Sequence, residues 1–299
     1  MPEHEEWRGS TGGSTWMHKG LMWIFRCIGV RPMYAVMGIF VAPSYMLFNH
    51  KAYLSIYHYF RRRHKYSVWK SFWYTYLNHY RFGQIILDRF ANYSGRKFDF
   101  ELIGNDRLME LMDRPEGFVI VSSHVGNYEI AGYTFASEKK KYNALVFGGE
   151  AKTVMENRNR LLSGNNIRMI PVRDDMSHIF EMNNALADGD IVSIPGDRIF
   201  GSPKYATCDF MNGKARFPIG PMTLAVQRDS KVIAIFVMKE ATYKYKVYIR
   251  ELNTSEEGIN RKERAMRVTQ AFASEMESVL KEYPEQWFNY YEFWDGAGE

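Results

Sequence analysis

From about residue 97 onward, short apolar runs alternate with segments of helical periodicity. Apolar runs of this length are typical of buried strands, and apolar positions that recur every three or four residues are typical of helices. The predicted strands are 98–103, 117–121, 143–146, 168–170, 191–194, 232–237 and 245–249. The predicted helices are 107–112, 153–162, 178–187 and 263–283. The alternation predicts an α/β fold, in which helices flank a layered sheet.

The first 95 residues show a different pattern. Residues 7–20 are rich in Gly and Ser and predict an irregular segment, whereas residues 51–95 predict helices rich in aromatic and basic side chains. We therefore predict two domains, a helical region over residues 1–95 and an α/β domain over residues 96–299.

The longest uncharged stretch of the chain is 32–49. Its length is about the minimum that crosses the hydrocarbon core of a bilayer, but Gly38 and Pro43 interrupt it. A single spanning helix, a helical pair lying in the membrane interface and a helix buried in the protein core all stay open as interpretations.

Charge is distributed unevenly along the chain. The net charge is +5, yet residues 7–87 contain no Asp or Glu and 11 Lys and Arg. Such asymmetry predicts an anionic partner, either a membrane surface or nucleic acid. The sequence contains no nucleic-acid-binding motif, and the apolar stretch adjoins the basic one. We therefore predict a membrane-associated helical region and no nucleic-acid partner.

Other compositional features narrow the class of protein. Cys27 and Cys208 are the only cysteines and cannot form a disulfide framework, which favours a reducing compartment. Residues 1–6 are acidic where a secretory signal needs positive charge, so we expect no cleaved export signal. No dense spacing of metal ligands occurs, and we predict neither a metal site nor a bound cofactor.

A histidine and a glutamate five residues apart follow the apolar run 118–121. His124 and Glu129 would lie roughly 140° apart on a regular helix, so His124 has to stand in the turn before a helix or in the first turn of that helix. Glu129 could then accept one ring N–H and leave the other ring nitrogen free as a general base. From spacing alone, a structural histidine at a helix start is an equal alternative.

The residues around this pair resemble a known family. The stretch 119–129 is similar to the His-x4-Asp/Glu block of glycerolipid-type acyltransferases, and its form His-Val-Gly-Asn-Tyr-Glu most resembles the lauroyl/myristoyl transferases of lipid A biosynthesis. Further blocks follow in the family's order: an Arg-containing helix, a Leu-x-x-Gly followed by a strand and an Asp, a Gly-x-x-x-Leu-Ala, and a Pro-Glu-Gln-Trp, at 155–164, 186–197, 220–225 and 284–287.

The resemblance covers roughly residues 20–294 and implies a glycerolipid-acyltransferase-like layered sheet. It implies acyl transfer from a thioester co-substrate, usually acyl carrier protein or else acyl-CoA, to a hydroxyl of a membrane lipid at the cytoplasmic face of a bacterial inner membrane. His124 is the implied general base and Glu129 its orienting carboxylate. The candidate substrate-binding residues are Gly126, Asn127, Arg158, Arg160, Asp197 and Arg198. Arg216 is a further candidate anion ligand.

Two departures from the family pattern bear on the identity of the acyl acceptor. Arg198 stands where the lipid A branch usually has Gln, and the aromatic, acid-free N-terminal half looks more like relatives associated with aryl polyene or flexirubin-type pigment lipids. A glycerophospholipid or aminolipid acyltransferase is therefore an alternative. A lipid hydrolase and a non-catalytic lipid-binding protein are alternatives from other classes.

Overall fold

The computed structural model describes Gly20, Phe25 and residues 28–132, 139–146, 166–173, 175–199, 204–255 and 258–294. The predicted helix over 153–162 lies outside the described residues, as does the predicted irregular segment 7–20 except Gly20.

A layer of helices precedes the first strand. The segments are α1 (Arg31–Val36), a π-helical turn (Met37–Val41), α2 (Ala42–Phe48), α3 (His50–His58), a second π-helical turn (Tyr59–Arg63) and α4 (Val68–Tyr93). Ser67 caps α4, because its hydroxyl accepts a hydrogen bond from the Lys70 amide at 3.3 Å. In the part of the chain that the structure describes, no helix combines the length and the apolar character needed to cross a bilayer.

The central sheet has the strand order β1-β9-β8-β2-β5-β3-β4. The strands are β1 (Asp99–Ile103), β2 (Phe118–Ser122), β3 (Tyr142–Val146), β4 (Ile167–Pro171), β5 (Ile191–Pro195), β8 (Val232–Ala241) and β9 (Lys244–Leu252). The pairing is parallel throughout except between β8 and β9, which are antiparallel neighbours. The sheet is therefore mainly parallel, and the carboxyl ends of β8, β2, β5, β3 and β4 meet at one edge.

Helices cover both faces of this sheet. They are α5 (Asn105–Asp113), α6 (Tyr128–Gly132), α7 (Ser177–Ala187), α8 (Gly220–Gln227) and α9 (Arg261–Glu282), and a 3₁₀ turn (Pro284–Gln286) follows. In β2, Val119 and Val121 enter one core cluster while Phe118 and Ile120 enter another, since successive side chains of a strand point to opposite faces. Helix α9 contributes to the first cluster and helix α4 to the second.

A hairpin that the sequence analysis missed lies outside the central sheet. Strands β6 (Tyr205–Phe210) and β7 (Gly213–Pro218) pair antiparallel around a two-residue turn. Met211 and Asn212 have φ of 51° and 59°, as a turn with two left-handed residues requires. Side chains of β6 alternate between exposed and buried, but charged residues interrupt the apolar runs that the analysis relied on.

The predicted α/β fold with helices flanking a layered sheet is confirmed. Each of the seven predicted strands overlaps a strand of the central sheet, and the predicted helices within the described residues match α5, α7 and α9. The predicted domain boundary at 95/96 falls between α4 and β1. The membrane association of the helical layer stays a prediction.

Candidate active site

The site is built where two neighbouring parallel strands end. Strands β2 and β5 pair in a register that sets Ser122 opposite Pro195, and the Gly196 amide donates to the Ser122 carbonyl at 2.8 Å. Two residues beyond this pair, the chains reach His124 and Asp197. The strand register therefore brings together two side chains that are 73 positions apart in the sequence.

His124 and Asp197 make two hydrogen bonds with each other. Nδ1 of the imidazole lies 2.8 Å from Oδ1 of Asp197, and the backbone N–H of His124 donates to Oδ2 at 2.7 Å. The imidazole keeps 22% of its surface exposed, whereas the carboxylate keeps 1%. The ring of Tyr128 packs against the imidazole with its centroid 5.4 Å away. The ring is thus held at Nδ1, and Nε2 is the nitrogen left for proton exchange.

The electrostatics of the pair favour an ionised Asp197. Burial by itself opposes the charged form, but the hydrogen bonds and electrostatic contact with His124, together with the charge of Arg198, hold the pKa of Asp197 below its usual range. An ionised acceptor at Nδ1 keeps the proton on that nitrogen. The Nε2 lone pair is then the basic site of the ring.

Glu129 does not take the predicted position beside the imidazole. Its Oε2 pairs with Nη2 of Arg89 on α4 at 2.7 Å, and its Oε1 accepts a hydrogen bond from the Tyr93 hydroxyl at 3.3 Å. Helix α6 begins at Tyr128, so that Glu129 lies in its first turn and contacts α4, while His124 stands in the preceding loop beside the end of β5. The predicted turn before a helix is confirmed, but the prediction that Glu129 orients His124 is wrong in this structure.

Gly126 and Asn127 contact the protein itself. Gly126 has φ of +66°, and a Cβ there would lie 2.0 Å from the carbonyl oxygen of Val237 on β8. Asn127 is 1% exposed; its Nδ2 donates to the Tyr245 hydroxyl at 3.1 Å, and its Oδ1 accepts the Ile130 amide at 3.3 Å. The structure therefore contradicts a substrate-binding role for the Asn127 side chain, which caps α6. The backbone of Gly126 closely approaches strand β8, so the space beside it is filled by the protein itself.

The Pro-Glu-Gln-Trp segment also holds residues 123–127, the histidine loop. The Gly126 amide donates to the Gln286 carbonyl at 2.7 Å, the Phe288 amide donates to the His124 carbonyl at 3.1 Å, and Val125 pairs with Trp287 as an antiparallel bridge. In the sequence this segment is recognisable only as a family signature, with no structural role. These backbone contacts show that the segment packs along the loop that carries His124 and holds it in place.

The candidate arginines lie in different parts of the chain. Arg198 Nη2 donates to the Phe288 carbonyl at 3.0 Å, which joins the chain after Asp197 to the C-terminal segment. The Arg216 guanidinium lies over the Tyr205 ring, 4.6 Å from its centroid, on the outer hairpin. Arg158 and Arg160 lie outside the described residues.

Sequence reasoning missed two contributions to this site. Asp197 was predicted to bind substrate rather than to orient His124, although its place two residues after a buried strand repeats that of His124. Asn78, inside α4, donates from Nδ2 to the carbonyls of Glu285 and Trp287 at 3.1 and 2.7 Å. A polar residue within a helix carries no local signal for such a contact.

Comparison with known proteins identifies the family. The family model for bacterial lipid A biosynthesis acyltransferase matches residues 84–294, or 211 of the 299 residues. No curated protein matches the chain. Among solved structures, the chain is similar to the crystal structure of the 1-acyl-sn-glycerophosphate (LPA) acyltransferase PlsC from Thermotoga maritima, with 13% identity over 84% of this chain and 95% of that one and a TM-score of 0.40. The chain belongs to the bacterial lipid A biosynthesis acyltransferase family and is an acyltransferase.

Proposed function

We propose that this acyltransferase moves a fatty acyl group from a thioester of acyl carrier protein, or of CoA, to a hydroxyl of a membrane lipid at the cytoplasmic face of a bacterial inner membrane. The general base in this proposal is Nε2 of His124, and Asp197 takes the orienting role. The observation that carries it is the pair of hydrogen bonds that Asp197 accepts from the ring and the backbone of His124, at 2.8 and 2.7 Å.

In the proposed reaction, Nε2 removes the proton of the acceptor hydroxyl as its oxygen attacks the thioester carbonyl carbon. The imidazolium that forms is stabilised by the ionised Asp197 at Nδ1. When the tetrahedral intermediate collapses, the carbon–sulfur bond breaks and the thiolate leaves with the proton that Nε2 returns. An ester and a free thiol are the products. A positioned base of this kind contributes about 10²- to 10⁴-fold to the rate.

Substitution of the base tests the proposal. We expect His124→Ala to abolish thiol release from the acyl thioester while leaving the unfolding midpoint near that of the native chain. The matched control is His58→Ala, because His58 is also partly exposed and faces a carboxylate, with its Nδ1 3.2 Å from Glu292. Product formation at a normal rate in the His124 variant would remove His124 from the mechanism. Parallel assays with acyl carrier protein and CoA thioesters identify the donor.

Membrane binding is proposed through the helical layer. Phe48 and Trp69 are 82% and 81% exposed, and Ile39 and Phe40 are also exposed. The Tyr76 hydroxyl on α4 donates to the Gly38 carbonyl at 3.1 Å, so two of the helical segments that carry these side chains pack against each other. Exposed apolar side chains that cluster on one surface are typical of membrane or protein interaction sites.

Exposed basic side chains occur in the same part of the chain. Lys51, Arg61, Arg62, Lys65 and Lys70 are all exposed, and the segment that carries them lacks acidic residues. Insertion of an exposed aromatic side chain is worth roughly 2–3 kcal/mol, and each basic residue near an anionic leaflet adds about 1 kcal/mol. These charges support an anionic lipid surface as the partner.

Vesicle binding tests this part of the proposal. The full chain should sediment with phosphatidylcholine vesicles that contain phosphatidylglycerol and bind more weakly without it. We expect the double variant F48S/W69S to bind about 10²-fold more weakly or worse. Phe180, on α7, is 71% exposed, and Phe180→Ser is the matched control. Equal binding by the double variant would contradict docking through this surface. The resemblance to the aryl polyene or flexirubin branch stays a prediction, which the acceptor in the transfer assay would test.

A further inference from the structure

A buried ionic cluster lies beneath the histidine loop. Asp88 on α4 and Lys239 on β8 are 0% and 2% exposed, and Nζ of Lys239 lies 2.5 Å from Oδ2 of Asp88. The hydroxyls of Tyr34 and Tyr245 both donate to the Asp88 carboxylate. Nζ of Lys239 also donates to the Thr242 carbonyl at 3.3 Å. Asp88 is the first acidic residue after the acid-free stretch 7–87.

Burial makes this cluster costly in isolation. It raises the pKa of Asp88 and lowers that of Lys239, since both charged forms lose their hydration, and the contacts of each with the other oppose those shifts. An apolar pair of similar volume is often as stable as a buried ion pair. Stability alone therefore gives no reason for an ion pair at this position. An apolar pair would lack the hydrogen bonds that extend from Asp88 and Lys239 to other residues.

One chain of hydrogen bonds runs from the cluster to the histidine loop through Tyr245. Because the Tyr245 hydroxyl donates to Asp88, its oxygen is left to accept from Nδ2 of Asn127, at 3.1 Å. That contact orients the Asn127 amide so that Oδ1 accepts the Ile130 amide at 3.3 Å, at the start of α6. The carboxyl group of Asp88 thereby sets the orientation of a side chain three positions after His124.

A second chain runs through the backbone of Lys239. Its amide donates to Oε1 of Gln286 at 2.8 Å, and its carbonyl accepts from Nε2 of Gln286 at 2.9 Å. The carbonyl of Gln286 accepts the Gly126 amide at 2.7 Å. The two chains thus reach consecutive residues of the loop, Gly126 and Asn127, from one buried cluster.

We propose that Asp88, Lys239 and Tyr245 are positioning residues for His124, acting through Asn127 and Gln286 on the loop that carries it. The proposal rests on the proposed function, in which His124 is the base. In the described part of the chain, no hydrogen bond or ion pair joins any of the three residues to His124 or Asp197. Their contribution is to hold the loop so that Nε2 meets the acceptor hydroxyl, which affects the rate of transfer rather than the binding of the donor.

Tyr245→Phe is the first test, because it removes the acceptor for Asn127 and keeps the volume of the ring. We expect kcat to fall about three- to tenfold with KM for the acyl thioester unchanged. The matched control is Tyr142→Phe. Tyr142 is likewise a buried strand tyrosine, and its hydroxyl lies near Ser193 on β5 rather than at the loop. The control should lose a similar amount of stability and keep its kcat.

Hydrogen exchange of the peptide 123–130 is the second readout and does not depend on the chemistry of the base. Exchange should be faster in Tyr245→Phe and unchanged in Tyr142→Phe. If kcat is unchanged in Tyr245→Phe, or falls equally in the control, the positioning role is overturned. If His124→Ala stays active, the proposed function fails, and the exchange of this peptide still decides whether the cluster holds the loop.

A double variant, Asp88→Leu with Lys239→Met, separates stability from positioning. Apolar replacement of a buried ion pair is often neutral or stabilising, so this variant is expected to fold. A retained unfolding midpoint with a kcat reduced by tenfold or more would support the proposal. A retained midpoint with normal kcat would overturn it.

Discussion

The substitution Asp197→Asn tests whether the carboxylate of Asp197 or that of Glu129 orients the imidazole of His124. Oδ1 of Asp197 faces the ring Nδ1 at 2.8 Å, and Oδ2 accepts the backbone N–H of His124 at 2.7 Å. Asparagine has the same shape but one acceptor oxygen and one NH₂ donor. If its oxygen keeps the backbone N–H, its NH₂ faces Nδ1. Nδ1 must then act as an acceptor, so the ring proton moves to Nε2 and the base is lost.

The magnitude follows from that change of tautomer. The corresponding replacement in a Ser-His-Asp triad lowers kcat by about 10⁴-fold, and general-base catalysis contributes about 10²- to 10⁴-fold. We expect kcat of Asp197→Asn to fall by about 10²- to 10⁴-fold, which is roughly 3–5 kcal/mol of transition-state stabilisation. The free energy of unfolding should fall by about 1–3 kcal/mol, the range for a lost charge-assisted hydrogen bond.

The contribution of Asp197 to the free energy of unfolding depends on pH in a defined direction. The pKa of Asp197 is below its usual range in the folded chain, so ionised Asp197 stabilises the fold above the unfolded-state pKa of about 3.9. This contribution is lost as the pH falls through the lower, folded-state pKa. The stability difference between the native chain and Asp197→Asn should therefore shrink below about pH 4.

The assay follows release of free thiol from an acyl carrier protein thioester in the presence of a lipid extract as acceptor. Glu129→Gln is measured in parallel; we expect it to lower kcat less than about tenfold, since Glu129 pairs with Arg89 rather than with the imidazole. Near-normal activity of Asp197→Asn, together with a 10²-fold loss in Glu129→Gln, would refute the assignment of Asp197 as the orienting carboxylate.

Further outcomes follow from the loop and the helical layer. Gly126→Ala should lower the free energy of unfolding by about 2 kcal/mol or more in a denaturant titration, because its Cβ would lie 2.0 Å from the Val237 carbonyl at φ of +66°. Burial and the charge of Lys70 lower the pKa of His64 to about 4. The unfolded chain, with a histidine pKa of about 6.5, binds more protons between these values, so stability should fall by about 1–3 kcal/mol as the pH drops from about 6.5 to 4, and His64→Gln should flatten that slope. EDTA should leave the transfer rate unchanged, and a loss of activity would point to a metal.

Much of the fold could be predicted because its signals are local. The strand 117–121 was recognised from its apolar run, and the structure buries β2 on both faces. The β6–β7 hairpin was missed because its apolar residues alternate with charged ones on an exposed surface. The turn before α6 was predicted correctly from the spacing of His124 and Glu129, since that spacing excludes a shared helical face.

The partner of His124 could not be predicted in the same way. Glu129 is five residues away in the sequence and was the obvious candidate, whereas Asp197 is 73 positions away. The hydrogen bond of Gln286 with Lys239 and the buried ion pair of Asp88 with Lys239 are likewise contacts between segments that are far apart in the sequence. None of these pairs leaves a periodic or short-range signal in the chain.

The sequence by itself determined which segments become the strands of the central sheet, and it located His124 in a turn at the end of a buried strand. Hydrophobic periodicity is a property of neighbouring residues, so it can be read without knowing the fold. Only the tertiary structure decided that β5 lies beside β2, in a register that sets Ser122 against Pro195. Strand order depends on how the whole sheet packs, and that packing places Asp197, rather than Glu129, against the imidazole of His124.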